Sequence, residues 1–329
     1  MVAPSPLLSA PGMAPEMARV DLALRAAVAN RDPHITELAT HLISAGGKRQ
    51  RPALAIVAAG ACGGGLPAPE DAVLGGVAVE LVQVGSLYHD DVIDDTRLRR
   101  GVPTANARFG NREAILGGDY LLAKASELAA RLGTAVSALL GATIASMCEG
   151  QVLELRTGFD VDRAEAAYLE SIAGKTASVF AAATRIGGIV VDAPPAVLDG
   201  LTAYGHAYGM TFQLVDDVLD LVATEAELGK PAGHDMAEGV YTLPVIRALA
   251  AGDDAAAELR SLLGHELESA DTERARKLVR AGTGVDQALE LARHHAAAAG
   301  TALDALPAGP LVDTLRAAAL ALVEDLPAS

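Results

Sequence analysis

The 329-residue sequence contains no tryptophan, and aromatic residues make up only 3% of it. Strands favour aromatic and β-branched side chains, whereas alanine and leucine are strong helix formers. Half of the residues are apolar, with alanine and leucine dominant. No run alternates between apolar and polar side chains in the manner of a strand. The composition therefore predicts an all-α fold.

Basic residues are also scarce. There are 26 lysines and arginines against 42 aspartates and glutamates, which gives a formal net charge of −16. This balance argues against a nucleic-acid partner, because such binding needs basic surfaces. It leaves room for phosphate ligands where basic residues cluster or metal ions mediate. Cys62 and Cys148 are the only cysteines. Two isolated thiols indicate a reducing, cytoplasmic compartment and no disulfide framework.

The chain shows no targeting or membrane signal. Residues 1–15, MVAPSPLLSAPGMAP, lack a basic segment and a long apolar run, so we interpret them as a flexible lead-in. No stretch is expected to span a bilayer, which predicts that the chain is not an integral membrane protein. Residues 16–329 are expected to form one domain. A long apolar segment covers 70–95, and further helices are predicted over 112–131, 134–156, 163–190, 196–223, 238–251, 253–268, 272–281, 284–305 and 309–325. Two stretches, 72–88 and 134–148, are apolar on most faces, which predicts burial inside a bundle.

Two aspartate clusters have the same pattern, DDVID at 90–94 and DDVLD at 216–220. Residues i and i+4 of a helix share one face and are separated by about 6 Å. The second aspartate of each cluster is rotated by about 100° around the helix axis from the first. Crowded carboxylates repel one another, and Mg²⁺ relieves that cost because it prefers oxygen ligands and is held jointly by carboxylates and substrate phosphates. One cluster alone is equally typical of a solvated helix end, but two in the same apolar context predict a metal site. Its ligands would be Asp90, Asp91, Asp94, Asp216, Asp217 and Asp220.

Positive charge is concentrated in three places. They are GGKRQRP at 46–52, LRRGVPT at 98–104, and two separate lysines, Lys175 in AGKTAS and Lys230 in LGKPAG. Arginine suits bidentate phosphate contacts and lysine suits point-charge contacts. Each segment alone fits an ordinary capping or loop role. Together, in a chain short of basic residues, they indicate a shared anion site.

In their order and spacing, these motifs resemble the signature of trans-isoprenyl diphosphate synthases. The matching motifs run from about residue 46 to 244, and the helical pattern continues to the end. The resemblance implies a single-domain bundle of about ten core helices around a deep central cavity, the isoprenoid synthase fold, usually as a homodimer. It also implies that the chain adds isopentenyl diphosphate head-to-tail onto an allylic diphosphate with the help of two or three Mg²⁺ ions.

The resemblance implies a role for individual residues. Asp90, Asp94 and Asp216 would be the main Mg²⁺ ligands, with remaining or water-mediated contacts from Asp91, Asp217, Asp220 and Asp235. The allylic diphosphate would be held by Arg99, Lys175 and Lys230, with Thr176 and Gln213 nearby. Isopentenyl diphosphate would be held by Lys48, Arg51, Gln83 and Arg100. The released pyrophosphate would take the final proton, and His89 would be a structural neighbour of Asp90 and not a base.

Product length should depend on the residues just before Asp90. Gly85 and Ser86 lie about 6–7.5 Å before it along a helix axis. The resemblance implies that bulky residues there stop growth early, so two small ones predict a geranylgeranyl or longer all-trans product, with polyprenyl diphosphate preferred. A side chain from a neighbouring helix, such as Tyr120, Leu121 or Met147, would shorten the product if it closed the tunnel for the growing chain.

Two departures from the family pattern keep other functions open. Many relatives have a lysine where this chain has Val240, so a cation near the allylic diphosphate is missing. The C-terminal ALVEDLPAS also lacks the basic residues that close over the site in many relatives. A non-catalytic subunit of a heteromeric synthase and a class I terpene cyclase are the alternatives. The intact DDVLD motif and the Lys48/Arg51 segment argue against both.

Overall fold

The computed structural model describes residues 5–224 and 232–324, and these ranges are almost entirely helical. The first half contains α1 Pro6–Ser9, α2 Met13–Val28, α3 Pro33–Ser44, α4 Gln50–Ala59, α5 Glu70–Ile93, α6 Ala105–Phe109, α7 Asn111–Arg131 and α8 Thr134–Arg156. The second half contains α9 Glu165–Ile172, α10 Ser178–Ile189, α11 Pro195–Val222, α12 His234–Ala237, α13 Leu243–Ala250, α14 Asp254–Leu262, α15 Ser269–Ala281, α16 Gly284–Ala302 and α17 Pro310–Glu324. A short antiparallel ribbon, β1 Leu98–Arg99 and β2 Val102–Pro103, follows α5.

Most predicted helices are present, but one is divided, one begins later than predicted, and the helix predicted over 253–268 ends at Leu262. The predicted helix 163–190 is divided by a π-helical turn at Ala173–Ala177, where the chain continues without a break from α9 into α10. The predicted helix 238–251 begins only at Leu243, because Gly239 adopts a positive φ of 81° that ends α12. Residues 240–242 therefore lie in a non-helical connection next to the second aspartate cluster.

The core consists of two apolar clusters joined by α11. The first half of α11 places Leu201, Tyr204 and Tyr208 in a cluster built by α2, α4, α5, α7 and α10. Its second half places Leu214 and Val218 in another cluster with α9, α13, α15 and α16. Burial of these side chains removes apolar surface from water and is the main stabilising contribution to such a bundle. Because α11 crosses both clusters, the aspartates near its end are held by packing on both sides.

The described part of the predicted lead-in is largely helical. Leu7 in α1 and Met13 at the start of α2 are fully buried. Because α1 packs against α4 and α17, these apolar side chains have a place in the first cluster. Residues 1–4 lie outside the described part of the chain.

Two helices depart from the expectation about membranes. By length and composition alone, α5 and α8 are apolar enough to cross a bilayer, although no such stretch was predicted. In α5, 72% of the apolar window is buried inside the protein, as predicted for a core helix. In α8 only 28% is buried, so the predicted burial of 134–148 is wrong for most of that helix. Its exposed apolar face needs a separate explanation.

Candidate active site

The first aspartate cluster lies in the last turn of α5. The Asp91 carboxylate is fully buried and accepts a hydrogen bond from Arg99 Nε at 2.7 Å. The amide of Asn106 in α6 donates to the Asp91 backbone oxygen at 2.9 Å, which fixes the end of the helix. Asp94 is the C-terminal cap residue, and its N–H donates to Asp90 O. Burial raises the pKa of Asp90 to about 6, against the opposing effect of Lys175, and Asp94 raises it further.

The ribbon β1–β2 holds the two arginines that follow this cluster. Arg100 has a positive φ of 54° and Gly101 one of 76°, and together they make the tight turn between the strands. Arg99 points back to Asp91, whereas the Arg100 guanidinium donates to the carbonyl oxygens of Gly46 and Leu42. Sequence reasoning missed the ribbon, although the Arg-Arg-Gly sequence before Val102 is a turn signal. The two arginines therefore serve different parts of the site.

The second aspartate cluster lies near the end of α11 and is supported by a chain of hydrogen bonds. Asp217 is buried and accepts hydrogen bonds from Tyr168 Oη and from Gln213 Nε2, the second at 2.7 Å. The Thr176 hydroxyl donates to Gln213 Oε1 at 2.8 Å. Burial and the nearby Asp235 raise the pKa of Asp217 well above its usual range, against the two hydrogen bonds. Asp220 accepts from the Asp235 N–H at 3.3 Å, which connects α12 to this cluster.

The π-helical turn Ala173–Ala177 joins the two clusters. Lys175 Nζ forms an ion pair with Glu154 of α8 at 2.7 Å. Burial lowers the pKa of Lys175, but Glu154, Asp90 and Asp94 outweigh this effect, so the pKa is raised overall. Thr176, the next residue, begins the hydrogen-bond chain to Asp217. Single-turn π-helical segments occur frequently at functional sites, because they turn neighbouring side chains in different directions.

Glycine permits this turn to lie against α8. A Cβ on Gly150 would lie 2.6 Å from Lys175 N, and a Cβ on Gly174 would lie 2.7 Å from Ser146 O. These close approaches bring the backbone of Lys175 near α8, so that its side chain can pair with Glu154. Glu154 and Tyr168 were not among the predicted site residues. Their only sequence signal is their position in the segments that flank the AGKTAS motif.

The GGKRQRP segment divides its basic residues between structural and binding positions. Arg49 forms a buried ion pair with Glu80 of α5 at 2.8 Å and donates to Ile43 O at 2.7 Å. Glu80 therefore neutralises its positive charge. Arg51 lies with its guanidinium 4.4 Å from the centre of the Phe180 ring. Burial lowers the pKa of Arg51 to about 10. Lys48 is exposed at the N-terminal side of α4. In this segment Glu80 forms its ion pair with Arg49, and the role of Lys48 and Arg51 in an anion site stays a prediction.

Gly85 and Ser86, the two predicted chain-length residues before Asp90, lie on different faces of α5. Gly85 faces α7, where a Cβ would lie 3.1 Å from Gly118 O. His89, one turn later, lies on the same side, with Nε2 3.2 Å from Ile115 O and 3.4 Å from Asp119. Ser86 is partly exposed, four residues before Asp90 and on its face of the helix. Of the two predicted chain-length residues, Ser86 shares the face of Asp90 and Gly85 is a packing position between helices.

Tyr120, Leu121 and Met147, the residues expected to limit product length from a neighbouring helix, lie in different surroundings. The Tyr120 hydroxyl donates to Val28 O at 3.4 Å and accepts from Asn30 Nδ2, so it is bound to the C-terminal end of α2 and the residues after it. Leu121 and Met147 are buried in the first apolar cluster. Gln83 is partly buried, and Lys230 lies outside the described residues.

Oxygen donors dominate the two clusters, which is the donor set that Mg²⁺ prefers. Within residues 5–224 and 232–324, no three acidic, histidine or cysteine side chains converge on a point that would hold a metal ion. Asp91 Oδ2 is buried and has no hydrogen-bond partner among the described residues, so this cluster retains unused acceptor capacity.

Comparison with known proteins identifies the family. Residues 32–281 match the family described as Polyprenyl synthetase. The nonaprenyl diphosphate synthase of Mycobacterium tuberculosis is 38% identical over 296 residues, which cover 89% of this chain and 88% of that protein. Component 2 of the heptaprenyl diphosphate synthase of Geobacillus stearothermophilus is 36% identical, covering 93% of this chain and 94% of that protein.

A solved structure shows the same architecture. The polyprenyl synthase of Caulobacter crescentus, complexed with calcium and isoprenyl diphosphate, superimposes with a TM-score of 0.91 and 34% identity over 98% of both chains. The all-α fold expected from the composition is thereby confirmed. The chain belongs to the polyprenyl synthetase family and is a prenyl transferase that elongates prenyl diphosphates.

Proposed function

We propose that this chain condenses isopentenyl diphosphate with an allylic diphosphate in a Mg²⁺-dependent reaction, and that the product is geranylgeranyl diphosphate or a longer polyprenyl diphosphate. The π-helical turn Ala173–Ala177 carries this proposal. Through Lys175 it places a cation beside Asp90 and Asp94, and through Thr176 it connects to Asp217. Two carboxylate clusters with a cation between them suit a diphosphate that is bound and then released.

The metal ligands of the proposal are Asp90 and Asp94 on one side and Asp216 and Asp220 on the other. Mg²⁺ would stabilise the negative charge that develops on the departing pyrophosphate. Asp91 and Asp217 are instead occupied by Arg99, Tyr168 and Gln213, which hold them in place. We therefore assign these two carboxylates to orientation of the clusters and to water-mediated contacts.

The two substrates have separate basic groups. Lys175 and Arg99 lie beside the first cluster, where an allylic diphosphate would bind, and they would stabilise the charge on the leaving pyrophosphate. Arg100 donates to the Gly46 backbone oxygen and is one of the charges that act on Arg51, and together with Lys48 these residues form the second basic group, where isopentenyl diphosphate would bind. The apolar core below Asp90 excludes water from the allylic cation, and the isopentenyl double bond attacks this cation. The released pyrophosphate takes the proton lost from the new bond, since His89 is engaged with α7.

Incubation of the purified chain with isopentenyl diphosphate, Mg²⁺ and each allylic primer tests this function. Elongation by the chain alone supports a synthase, a cyclic hydrocarbon would identify a terpene cyclase, and turnover only with a partner would identify a subunit. The nonaprenyl and heptaprenyl names of the two relatives support a product longer than geranylgeranyl. Product length is read from the same reaction by mass spectrometry.

The raised pKa of Asp90 gives a pH prediction for metal binding. A carboxyl whose folded pKa is about 6 holds its proton below that pH, whereas a metal ion binds only the carboxylate. We expect the affinity for Mg²⁺-pyrophosphate to fall as pH drops below about 6, by up to ~10-fold per pH unit. Titration calorimetry in two buffers with different ionisation enthalpies measures the protons released, some of which come from pyrophosphate itself. We therefore expect the unmodified chain to release more protons than Asp90→Asn near pH 6 and the two to release equal numbers near pH 8, and equal release at both pH values would contradict the assignment.

The exposed apolar face of α7 and α8 supports a homodimer, as the resemblance implies. Leu116 on α7 and Val152 and Leu155 on α8 are 64%, 53% and 54% exposed, and small exposed residues such as Ala138 and Gly141 lie earlier along α8. A patch of this kind is typical of a protein interface, and small residues allow two helices to approach closely. We propose that this face packs against the same face of a second copy, in the cytoplasm.

Charge on this face should disrupt the dimer. The double variant Val152→Glu/Leu155→Glu should run as a monomer in light scattering, whereas the unmodified chain should run at twice its 33.5 kDa mass. The matched control is Leu22→Glu, because Leu22 is a 71% exposed leucine on α2 and belongs to neither α7 nor α8. A dimer that survives the double substitution, or that Leu22→Glu also dissociates, would rule out this face.

A further inference from the structure

A buried arginine lies behind the second aspartate cluster. Arg163, in the connection between α8 and α9, is only 4% exposed. Its Nη1 donates to the backbone oxygen of Tyr241 at 3.0 Å. Its Nε and Nη2 are buried and have no hydrogen-bond partner among the described residues. Burial of a charged group is costly unless the charge is paired, so Arg163 stands out from the other arginines, most of which form ion pairs.

Arg163 contacts residues that orient the site. Its guanidinium carbon lies 5.5 Å from the centre of the Tyr168 ring, and Tyr168 donates a hydrogen bond to Asp217. Among the charged groups that act on Arg163 are Glu154 and Asp217. Glu154 is the ion-pair partner of Lys175, and Asp217 belongs to the second cluster. The buried positive charge therefore lies within reach of acidic groups from both walls of the site.

The position of Arg163 is fixed against the segment that contains Val240. Phe159 N donates to Gly239 O at 2.9 Å, and Arg163 binds Tyr241 O two residues further on. The α8–α9 connection thus contacts the backbone on both sides of Val240. The family resemblance implies a cation at this position, where the chain has valine.

We propose that Arg163 is a positioning residue for the allylic diphosphate half of the site, and that its guanidinium supplies from the α8–α9 connection the positive charge that position 240 lacks. It holds Tyr168 and the backbone of residues 240–241 in place, and its field offsets the crowded carboxylates of the second cluster. The inference rests on the proposed binding of a Mg²⁺-diphosphate between the two clusters.

The proposal separates activity from stability. A buried, weakly paired charge can often be replaced by an apolar side chain of similar volume without loss of stability. Arg163→Met is therefore expected to unfold at the same temperature as the unmodified chain or higher. Its kcat/KM for the allylic diphosphate should fall by at least ~10-fold, because a preorganised cation is lost. The KM for isopentenyl diphosphate, which is proposed to bind at the separate group of Lys48, Arg51 and Arg100, should stay within about twofold.

A second substitution tests whether charge is the cause. Val240→Lys in the Arg163→Met background should recover at least ~5-fold of the lost kcat/KM, because it places a cation on the neighbouring backbone. The matched control is Arg260→Met. Arg260 pairs with Asp162 at 2.6 Å in the same connection but is exposed, so this variant should retain the activity of the unmodified chain.

Binding of pyrophosphate with Mg²⁺, measured by calorimetry for every variant, keeps this inference separate from the proposed reaction. If the unmodified chain binds Mg²⁺-pyrophosphate but does not elongate, the proposed reaction fails while the role of Arg163 is still measured by its effect on affinity. The inference is overturned if Arg163→Met keeps full affinity and activity. It is also overturned if the variant loses stability along with activity and Val240→Lys restores neither.

Discussion

Asp90→Asn is expected to lower kcat for elongation by roughly 10³-fold, because it removes charge where the departing pyrophosphate must be stabilised. Asn keeps the size of the side chain but cannot offer a carboxylate to a hard cation. The loss should persist at saturating concentrations of both substrates, and raising Mg²⁺ should restore only part of it. Steady-state kinetics over a range of Mg²⁺ concentrations measures both effects.

The fold of Asp90→Asn should be intact and, above pH 6, more stable than the parent. Burial raises the folded pKa of Asp90 to about 6, above its unfolded value of 3.8. The stability associated with this carboxyl is therefore present below the unfolded pKa and is lost as pH rises through 6. Removing the ionisable group removes that loss, so thermal unfolding at pH 8 should shift upwards.

Asp95→Asn is the matched control for this experiment. Asp95 directly follows the cluster, is exposed, and pairs with Arg97 at 3.1 Å on the surface. Asparagine also tolerates its positive φ of 45°. Loss of activity in both variants would show that the region responds to any change of charge. Full activity in Asp90→Asn would remove Asp90 from the metal ligands.

Short-range sequence patterns predicted the parts of the site that lie on regular helices. The four-residue spacing of Asp90 and Asp94 needs only helical geometry, and the structure places both at the end of α5. The division of labour among basic residues could not be predicted in this way. Arg49 and Arg51 are two residues apart, yet Glu80, on a different helix, pairs with the first and leaves the second to lie against Phe180.

Features that depend on contacts between distant segments were also beyond the sequence. Alanine-rich sequence alone predicts a continuous α-helix over this stretch. The π-helical turn at Ala173–Ala177 depends instead on the close approach of Gly174 to α8, which sequence patterns do not reveal. The partial exposure of α8 is a similar case. A helix that is apolar on most faces predicts burial, but the described residues cover only one side of α8. The other side is available to a second chain.

Product length provides the second test with a large expected effect. Ser86→Phe should shorten the product, because a phenyl ring at this position would project from the face of α5 that also bears Asp90. The two residues are one helical turn apart, about 6 Å along the axis. A chain that starts at the aspartates would therefore meet the ring after few additions. The change should appear as a shift of the whole product distribution, measured by mass spectrometry at fixed substrate ratio.

Substitutions of increasing size at Ser86 distinguish a steric limit on product length from a general loss of activity. Ser86→Ala should leave product length unchanged, Ser86→Leu should shorten it, and Ser86→Phe should shorten it further, while initial rates with a short primer remain similar. Gly85 offers the contrasting case. Because a Cβ there would lie 3.1 Å from Gly118 O and 3.4 Å from Leu121 Cβ, Gly85→Phe should reduce stability through overpacking between α5 and α7. If Ser86→Phe left the product distribution unchanged, growth would be limited deeper in the bundle, where Leu121 and Met147 are buried.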